Sequence, residues 1–195
     1  MSLVTLILGV GSNIGQGTAS AFAAAGYKVA SVSRSQKESD STAQNLYIAA
    51  NLSTPEAIVA AFAKTKKVLG VPNVVVCNLY AHTASDAENP LAQDLAAFTS
   101  DFALNTISPF QLPPGTSKTF IFTGNMLNVT TAPGLLNLGL GKVATAHTIE
   151  TAAKAYQDRG YSGEAHGKLY VELAQDEAQR PWCQTFVKDQ GYKKF

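Results

Sequence analysis

An apolar run that ends in glycines constrains the fold of this chain more than any other feature. Residues 3–8 form a short run that is apolar apart from Thr5, which is typical of a strand buried on both faces of a parallel sheet. From Ile14 onwards the apolar residues recur at helical spacing, and Gly26 ends that pattern. A buried strand that enters a helix through a glycine-rich turn predicts a βαβ unit.

The rest of the chain continues this alternation. The apolar pattern predicts strands at 28–32, 46–50, 74–77 and 119–123, and helices from about 55, at 91–108 and at 136–156. Alternating strands and helices predict an α/β fold, with a Rossmann-like, doubly wound parallel sheet in a single three-layer domain. We interpret residues 1–195 as this one domain, with a shortened or incomplete C-terminal part.

The C-terminal extension, residues 157–195, is less regular. Its pattern predicts a loop at 157–163, a helix at 163–175 and a strand at 182–187. Earlier in the chain, Pro109, Pro113 and Pro114 are expected to end the helix at 91–108 early, because proline cannot continue a helix.

Composition and charge narrow the classes of function. Hydrophobic residues make up 46% of the 195 residues, and the formal net charge is +1. With no basic field, neither nucleic acid nor a membrane surface is expected as a partner. Cys77 and Cys183 predict neither a disulfide framework nor a metal site. We see no leader and no membrane-spanning stretch, so a cytoplasmic location is expected.

The turn after the first strand has the composition of a phosphate-binding turn. It consists of Gly9, Val10, Gly11, Ser12, Asn13, Ile14 and Gly15. Gly9 permits a tight bend, and Gly15 lets the helix pack closely while its amino end faces a pyrophosphate. Asn13 is expected to adopt a left-handed backbone, which asparagine tolerates well. Alone the turn is a weak signal, and a purely structural turn remains the minor alternative.

Two residues at the end of the second strand bear on the choice of nucleotide. An NAD site has a carboxylate here for the ribose hydroxyls, whereas an arginine accommodates the 2′-phosphate of NADP. Ser33 is small and neutral, and Arg34 offers a planar guanidinium for phosphate oxygens. The pair favours NADP(H), and the alternative is a solvated arginine at a strand end.

The turn and the elements after it resemble the short-chain dehydrogenase/reductase family, through about Lys142. The turn of that family usually reads Thr-Gly-x-x-x-Gly-Ile-Gly, and in this chain Asn13 replaces the middle glycine. The resemblance implies that Asn51 and Leu52 flank the adenine. It assigns the following residues to cofactor binding: Gly9, Ser12, Asn13, Ile14, Gly15, Ser33, Arg34, Asn51, Leu52, Asn78, Leu79, Tyr80, Thr123 and Lys142.

The catalytic residues of the family are matched only in part. The resemblance implies that Asn105 anchors a relay water and that Lys142 holds the nicotinamide ribose, although a helix-kinking asparagine and a solvated lysine are the structural alternatives. Asn125 stands at the serine position, and Leu138 stands at the tyrosine position. Leucine cannot donate a proton, and none of the seven tyrosines has a lysine four residues later.

Two hypotheses of function follow, together with a degenerate fold that binds nothing. The first is an NADP-dependent oxidoreductase in which Lys142, Tyr80 or a water at Asn105 supplies the proton. The second is a non-catalytic NADP(H)-binding sensor or partner module. The resemblance also implies a homo-oligomer and a small-molecule substrate, whose identity the sequence does not indicate.

Overall fold

The computed structural model describes residues 3–108 and 119–155, Gln175, and two short strands near the C-terminus. The strands are β1 Val4–Leu8, β2 Lys28–Ser33, β3 Asn45–Ala49, β4 Val74–Cys77, β5 Thr119–Phe122, β6 Phe186–Val187 and β7 Gly191–Tyr192. The helices are α1 Ile14–Ala24, α2 Pro55–Val68, α3 Leu95–Phe102 and α4 Leu136–Ala155. A π-helix, Ala103–Ile107, continues α3, and 3₁₀ turns lie at Glu38–Asp40 and Met126–Asn128.

Five parallel strands form the main sheet in the order β3-β2-β1-β4-β5. Val4 of β1 pairs with Lys28 of β2, and Thr5 pairs with Val74 of β4, so β1 lies in the middle. The chain builds outward from β1 in one direction to β3 and then returns to add β4 and β5 on the other side. In such sheets, ligands bind at the carboxyl ends of the strands, at the point where the strand order reverses.

Both faces of the sheet are covered, which is why β1 is apolar at every position except Thr5. Leu6 and Leu8 face a core that α2 completes, and Leu104 and Ile149 also pack against it. Ile7 faces the opposite core, to which α1 contributes Phe22. Successive residues of a strand point to opposite faces, so a strand that is buried on both needs a nearly continuous apolar run. The predicted doubly wound α/β fold is confirmed.

The five strands predicted for the main sheet agree with the structure to within one residue at each end, but one helix boundary was wrong. The sequence predicted a helix from residue 91, whereas α3 begins at Leu95. Asp94 is its N-cap, and the carboxylate oxygen Oδ1 accepts a hydrogen bond from the amide of Ala97 at 2.7 Å. This cap satisfies one of the otherwise unpaired amides of the first turn, which is why the helix begins there.

Parts of the C-terminal predictions lie outside the described residues. The helix predicted at 163–175 is described only at Gln175, and the strand predicted at 182–187 is described only as β6, which pairs antiparallel with β7. The proline-containing segment 109–118 and the loop at 157–163 are likewise outside. Among the helices that are described, none has both the length and the apolar character that crossing a membrane requires.

Candidate functional site

The glycine turn is tied to both neighbouring strands of the sheet. Gly9 has φ +92°, and a Cβ atom there would lie 2.5 Å from the carbonyl oxygen of Asn78. The Asn78 side chain donates from Nδ2 to the carbonyl oxygen of Gly9 at 2.8 Å. The amides of Gly9 and Val10 both donate to the carbonyl oxygen of Val32 at 3.0 Å. The turn is therefore fixed between the carboxyl ends of β2 and β4, and only glycine fits its first position.

Four consecutive amides in the second half of this turn are available to a ligand. In residues 3–108 and 119–155, no hydrogen bond engages the amides of Ser12, Asn13, Ile14 and Gly15. A Cβ atom on Gly11 would meet nothing within 4 Å, so the space beside the turn is open. Unpaired amides at a helix N-terminus, together with the helix dipole, make an anion site.

Gly15 and Asn13 differ in how well their predicted roles hold. A Cβ atom on Gly15 would lie 2.6 Å from the Cα atom of Val10, so close packing of α1 on the turn requires glycine there. The left-handed backbone predicted for Asn13 is wrong, because its φ is −112° and its ψ is −98°. Asn13 is instead the N-cap of α1, and its carbonyl oxygen accepts from the amide of Gly17 at 2.9 Å.

Arg34 is exposed and follows β2 directly, on the same edge of the sheet as the glycine turn. Within the described part of the chain no ion pair engages it. The nearest acidic residue along the chain, Glu38, is bound to Lys64 at 2.7 Å, and this hydrogen bond lowers the pKa of the Glu38 carboxyl. The hydroxyl of Ser33 lies 3.2 Å from Nε2 of Gln36, which donates to it. The guanidinium therefore remains available for a phosphate.

The residues assigned to the adenine and nicotinamide sides divide between core and surface. Leu52 and Leu79 are buried in the core, so their side chains stabilise the sheet. Asn51 is exposed, and its Oδ1 accepts from the amide of Ser53 at 3.3 Å. Tyr80 is 61% exposed at the carboxyl end of β4. The structure thus leaves Asn51 and Tyr80 accessible to a ligand and commits the two leucines to packing.

Asn105 connects three parts of the site. Its side chain accepts from the amide of Ala81 at 3.0 Å and donates to the carbonyl oxygen of the same residue at 2.8 Å. Its own carbonyl oxygen accepts from the Thr145 hydroxyl at 3.0 Å, and a Cβ atom on Gly141 would lie 2.7 Å from its Cβ. Asn105 lies in the π-helix, a distortion frequent at functional sites. It holds the loop after β4 against α4.

Lys142 is buried, so the alternative that it is a solvent-exposed lysine without a role in the site is excluded by its position. Its side chain is 3% exposed, and Nζ donates to the carbonyl oxygen of Thr123 at 2.8 Å. Nζ also lies 4.7 Å from the centre of the Phe122 ring, a cation–π contact. Burial lowers the pKa of the Lys142 ammonium to about 8, while the neighbouring Cys77 opposes this. Burial likewise raises the pKa of the Cys77 thiol to about 11.

The two residues that the sequence analysis placed at the serine and tyrosine positions, Asn125 and Leu138, are separated between surface and core. Leu138 is 4% exposed and lies one helical turn before Lys142 on α4. Asn125 is exposed after β5, and its Oδ1 accepts from the amide of Leu127 at 3.0 Å, which caps the 3₁₀ turn. The structure thus places Asn105 against α4, the helix that carries Leu138 and Lys142, and it gives the oxygen of Asn125 a capping role.

Three polar residues beside the site were not found from the sequence. Asp101 on α3 is buried, and its Oδ2 accepts from the amide of Thr83 and, at 3.4 Å, from Nδ2 of Asn137. His82 lies between Ala81 and Thr83, whose amides donate to the side chains of Asn105 and Asp101. A polar residue at an apolar position of a helix could have indicated Asp101 and Asn137, whereas nothing in the sequence indicates His82. No group of three His, Cys, Asp or Glu side chains in the described ranges could hold a metal ion.

Comparison with known proteins decides the family. A family model described as enoyl-(acyl carrier protein) reductase matches residues 9–161. The chain is 36% identical, over its whole length and 95% of the relative, to "Short chain dehydrogenase/reductase dmxR12" of Cryptosporiopsis sp. (strain 8999). The chain belongs to the short-chain dehydrogenase/reductase family. The alignment with the Cryptosporiopsis relative extends over 235 positions, more than this chain has residues, so the relative has residues without a counterpart here.

Solved structures of short-chain dehydrogenases share the fold. One from Streptomyces avermitilis superposes with a TM-score of 0.72 at 18% identity, over 84% of this chain and 64% of the other. One from Francisella tularensis subsp. tularensis SCHU S4 superposes with a TM-score of 0.71 at 16% identity, over 83% of this chain and 67% of the other. A third, from Bacillus anthracis str. 'Ames Ancestor', superposes with a TM-score of 0.70 at 17% identity, over 80% of this chain and 71% of the other. This chain therefore spans about two thirds of the length of these solved dehydrogenases.

Proposed function

We propose that this short-chain dehydrogenase/reductase binds NADP(H) and transfers a hydride between the nicotinamide and a small carbonyl or alcohol substrate. The observation that carries the proposal is the pairing of two anion sites on one edge of the sheet. The open amides of Ser12 to Gly15 suit a diphosphate, and the unpaired guanidinium of Arg34 suits a 2′-phosphate.

The described residues also suit the nicotinamide half of the dinucleotide. Lys142 uses one of its three N–H donors on Thr123, so further donors are available to ribose hydroxyls. Its contacts with Phe122 and Thr123 restrict the ammonium to one place at the end of β5. Tyr80 is exposed on the loop after β4 and provides an aromatic surface at this edge. When bound, the dinucleotide supplies the hydride, and these residues position it.

Replacing Arg34 tests the choice of nucleotide. Arg34→Ala is expected to weaken NADPH binding by about 10- to 100-fold, because charge-assisted hydrogen bonds to a phosphate contribute about 1.5–3 kcal/mol. Binding of NADH, which has no 2′-phosphate, is expected to change little. Calorimetric titration of both nucleotides measures the difference. Lys66→Ala, which removes an exposed cation on α2, is the control and should leave both affinities unchanged. Equal losses for NADPH and NADH in the Arg34 variant would contradict the assignment.

A specific observation favours the second function, a non-catalytic NADP(H)-binding module. Leu138 is buried, and the resemblance implies that it stands at the family's tyrosine position, which would remove the usual proton donor. NADPH oxidation with a panel of aldehydes, ketones and enones separates the two functions. Turnover above the rate without protein supports an oxidoreductase, whereas NADPH binding without turnover of any substrate supports the binding module.

Restoring a phenol at residue 138 gives the second function its own prediction. Leu138→Tyr is expected to raise NADPH oxidation about 10²-fold or more over Leu138→Phe, because a positioned general acid contributes 10²–10⁴-fold. The two variants place a similar ring in the same buried site, so they share the packing cost and differ by one hydroxyl. The rate of ketone reduction under saturating NADPH is the measurement. Equal rates would show that the position no longer faces the reacting carbonyl.

A further inference from the structure

A loop beside the site has a histidine between two residues whose backbone is held by hydrogen bonds. His82 lies on the segment after β4, between Ala81 and Thr83. Asn105 binds the amide and the carbonyl of Ala81, and Asp101 accepts from the amide of Thr83. Backbone hydrogen bonds on both sides of His82 therefore limit the positions that its side chain can take. Such supporting contacts are what a functional side chain needs in order to act from one geometry.

The same contacts bring the loop to the part of α4 that lacks a proton donor. Asp101, which binds Thr83, also accepts from Nδ2 of Asn137, the residue immediately before Leu138. Asn105, which binds Ala81, lies against Gly141, the residue immediately before Lys142. Both anchors of the loop thus contact α4 next to the two positions where the family has tyrosine and lysine.

Among residues 3–108 and 119–155, no hydrogen bond to the His82 ring accounts for its position. Its Nδ1 is shielded from solvent and has no hydrogen-bond partner among the residues that the structure describes. The ring is only partly buried, and its centre lies 6.4 Å from that of the exposed Tyr80 ring. Buried polar atoms without a partner are uncommon in native proteins and often belong to functional groups. A histidine kept for the stability of the loop would be expected to make such a bond.

We propose that His82 replaces the missing tyrosine as the proton donor to the substrate oxygen. The proposal rests on the hydride transfer proposed above. In ketone reduction, the C4–H bond of NADPH breaks and its electron pair forms a C–H bond at the carbonyl carbon, so NADPH is oxidised and the ketone is reduced. The π-electron pair of the carbonyl moves to oxygen, which takes the proton from Nε2 of the protonated ring. The neutral ring then regains a proton from solvent through its accessible edge.

His82→Ala, assayed with added imidazole, tests this role. The variant is expected to reduce the ketone or aldehyde that is best turned over by the unchanged protein at least about 10²-fold more slowly. Added imidazole is expected to restore part of the rate, because a free imidazole can occupy the space left by the ring. NADPH affinity by calorimetry and the thermal unfolding midpoint should stay close to those of the unchanged protein. His147→Ala removes an exposed imidazole on α4 and should change neither rate nor rescue.

A second variant separates loss of the proton donor from loss of structure. His82→Gln keeps a donor for hydrogen bonds but cannot release a proton at neutral pH, so it should remain folded and show the same slow rate. An unchanged rate in both variants would overturn the role of His82 while leaving hydride transfer intact, as would a slow rate that imidazole does not improve. NADPH binding without turnover by the unchanged protein would overturn hydride transfer and, with it, the role of His82.

Discussion

Gly9→Ala is expected to lower the free energy of unfolding by about 2–5 kcal/mol. An L-residue at φ +92° is strained by about 1–2 kcal/mol, and forcing a Cβ atom to within 2.5 Å of the Asn78 carbonyl oxygen adds about 1–3 kcal/mol. The clash would also displace the end of β4 from the turn and disrupt the hydrogen bond from the Asn78 side chain. Urea unfolding followed by circular dichroism measures the change.

Gly17→Ala is the control for this prediction, and its effect should have the opposite sign. Gly17 lies inside α1, and a Cβ atom there would meet nothing within 4 Å. Alanine in a helix is favoured over glycine by about 0.5–1 kcal/mol, so this variant should be slightly more stable. If Gly9→Ala unfolded at the same urea concentration as the unchanged protein, the tight turn described above would be wrong.

Lys142→Met is expected to remove a rise in stability at alkaline pH. Burial holds the pKa of Lys142 at about 8 in the folded protein, against an ordinary 10.5. Between these two values the unfolded chain binds more protons than the folded one, so the free energy of unfolding increases with pH. The lysine contributes a rise of about 3 kcal/mol, complete near pH 10.5 and absent below pH 8. Methionine binds no proton, so the variant lacks this rise.

Urea unfolding at several pH values between 8 and 10.5 measures this difference. Groups that ionise in both proteins and do not interact with Lys142 cancel when the two stability curves are subtracted. Cys77 does interact with Lys142, but burial raises the pKa of its thiol to about 11, above this range. Lys154→Met is the control, because Lys154 is exposed and makes only a surface ion pair with Glu150. Its curve should run parallel to that of the unchanged protein. Parallel curves for Lys142→Met would mean that the ammonium is solvated in solution.

The buried lysine also bears on the reaction. A lysine with a pKa near 8 changes its charge close to neutral pH, whereas an ordinary lysine stays charged. The Lys142 ammonium lies at the end of β5, so its charge state would affect an oxyanion formed there in the proposed hydride transfer. The proposed roles divide between two residues: Lys142 positions the dinucleotide, and His82 supplies the proton.

The sheet and the cofactor turn could be predicted from the sequence because their causes are local. A nearly continuous apolar run marks a strand buried on both faces, and the order of such runs with amphipathic helices predicts the parallel sheet. Gly9 and Gly15 were recognised from their spacing in a strand-turn-helix unit, and both prove to be sites where a Cβ atom does not fit. Arg34 was placed on the same edge by counting to the end of β2.

The acid–base side of the site could not be predicted in this way, because contacts between distant residues create it. His82 became a candidate only when the hydrogen bonds of Asn105 and Asp101 placed its loop against α4. The burial of Lys142 and the true start of α3 likewise depend on packing and capping that no periodicity reveals. By itself the sequence determined the layered fold and the glycine turn after β1, since apolar periodicity and glycine geometry act between neighbours along the chain. Only the tertiary structure decided which polar groups meet around residue 138, since those contacts form after the helices pack.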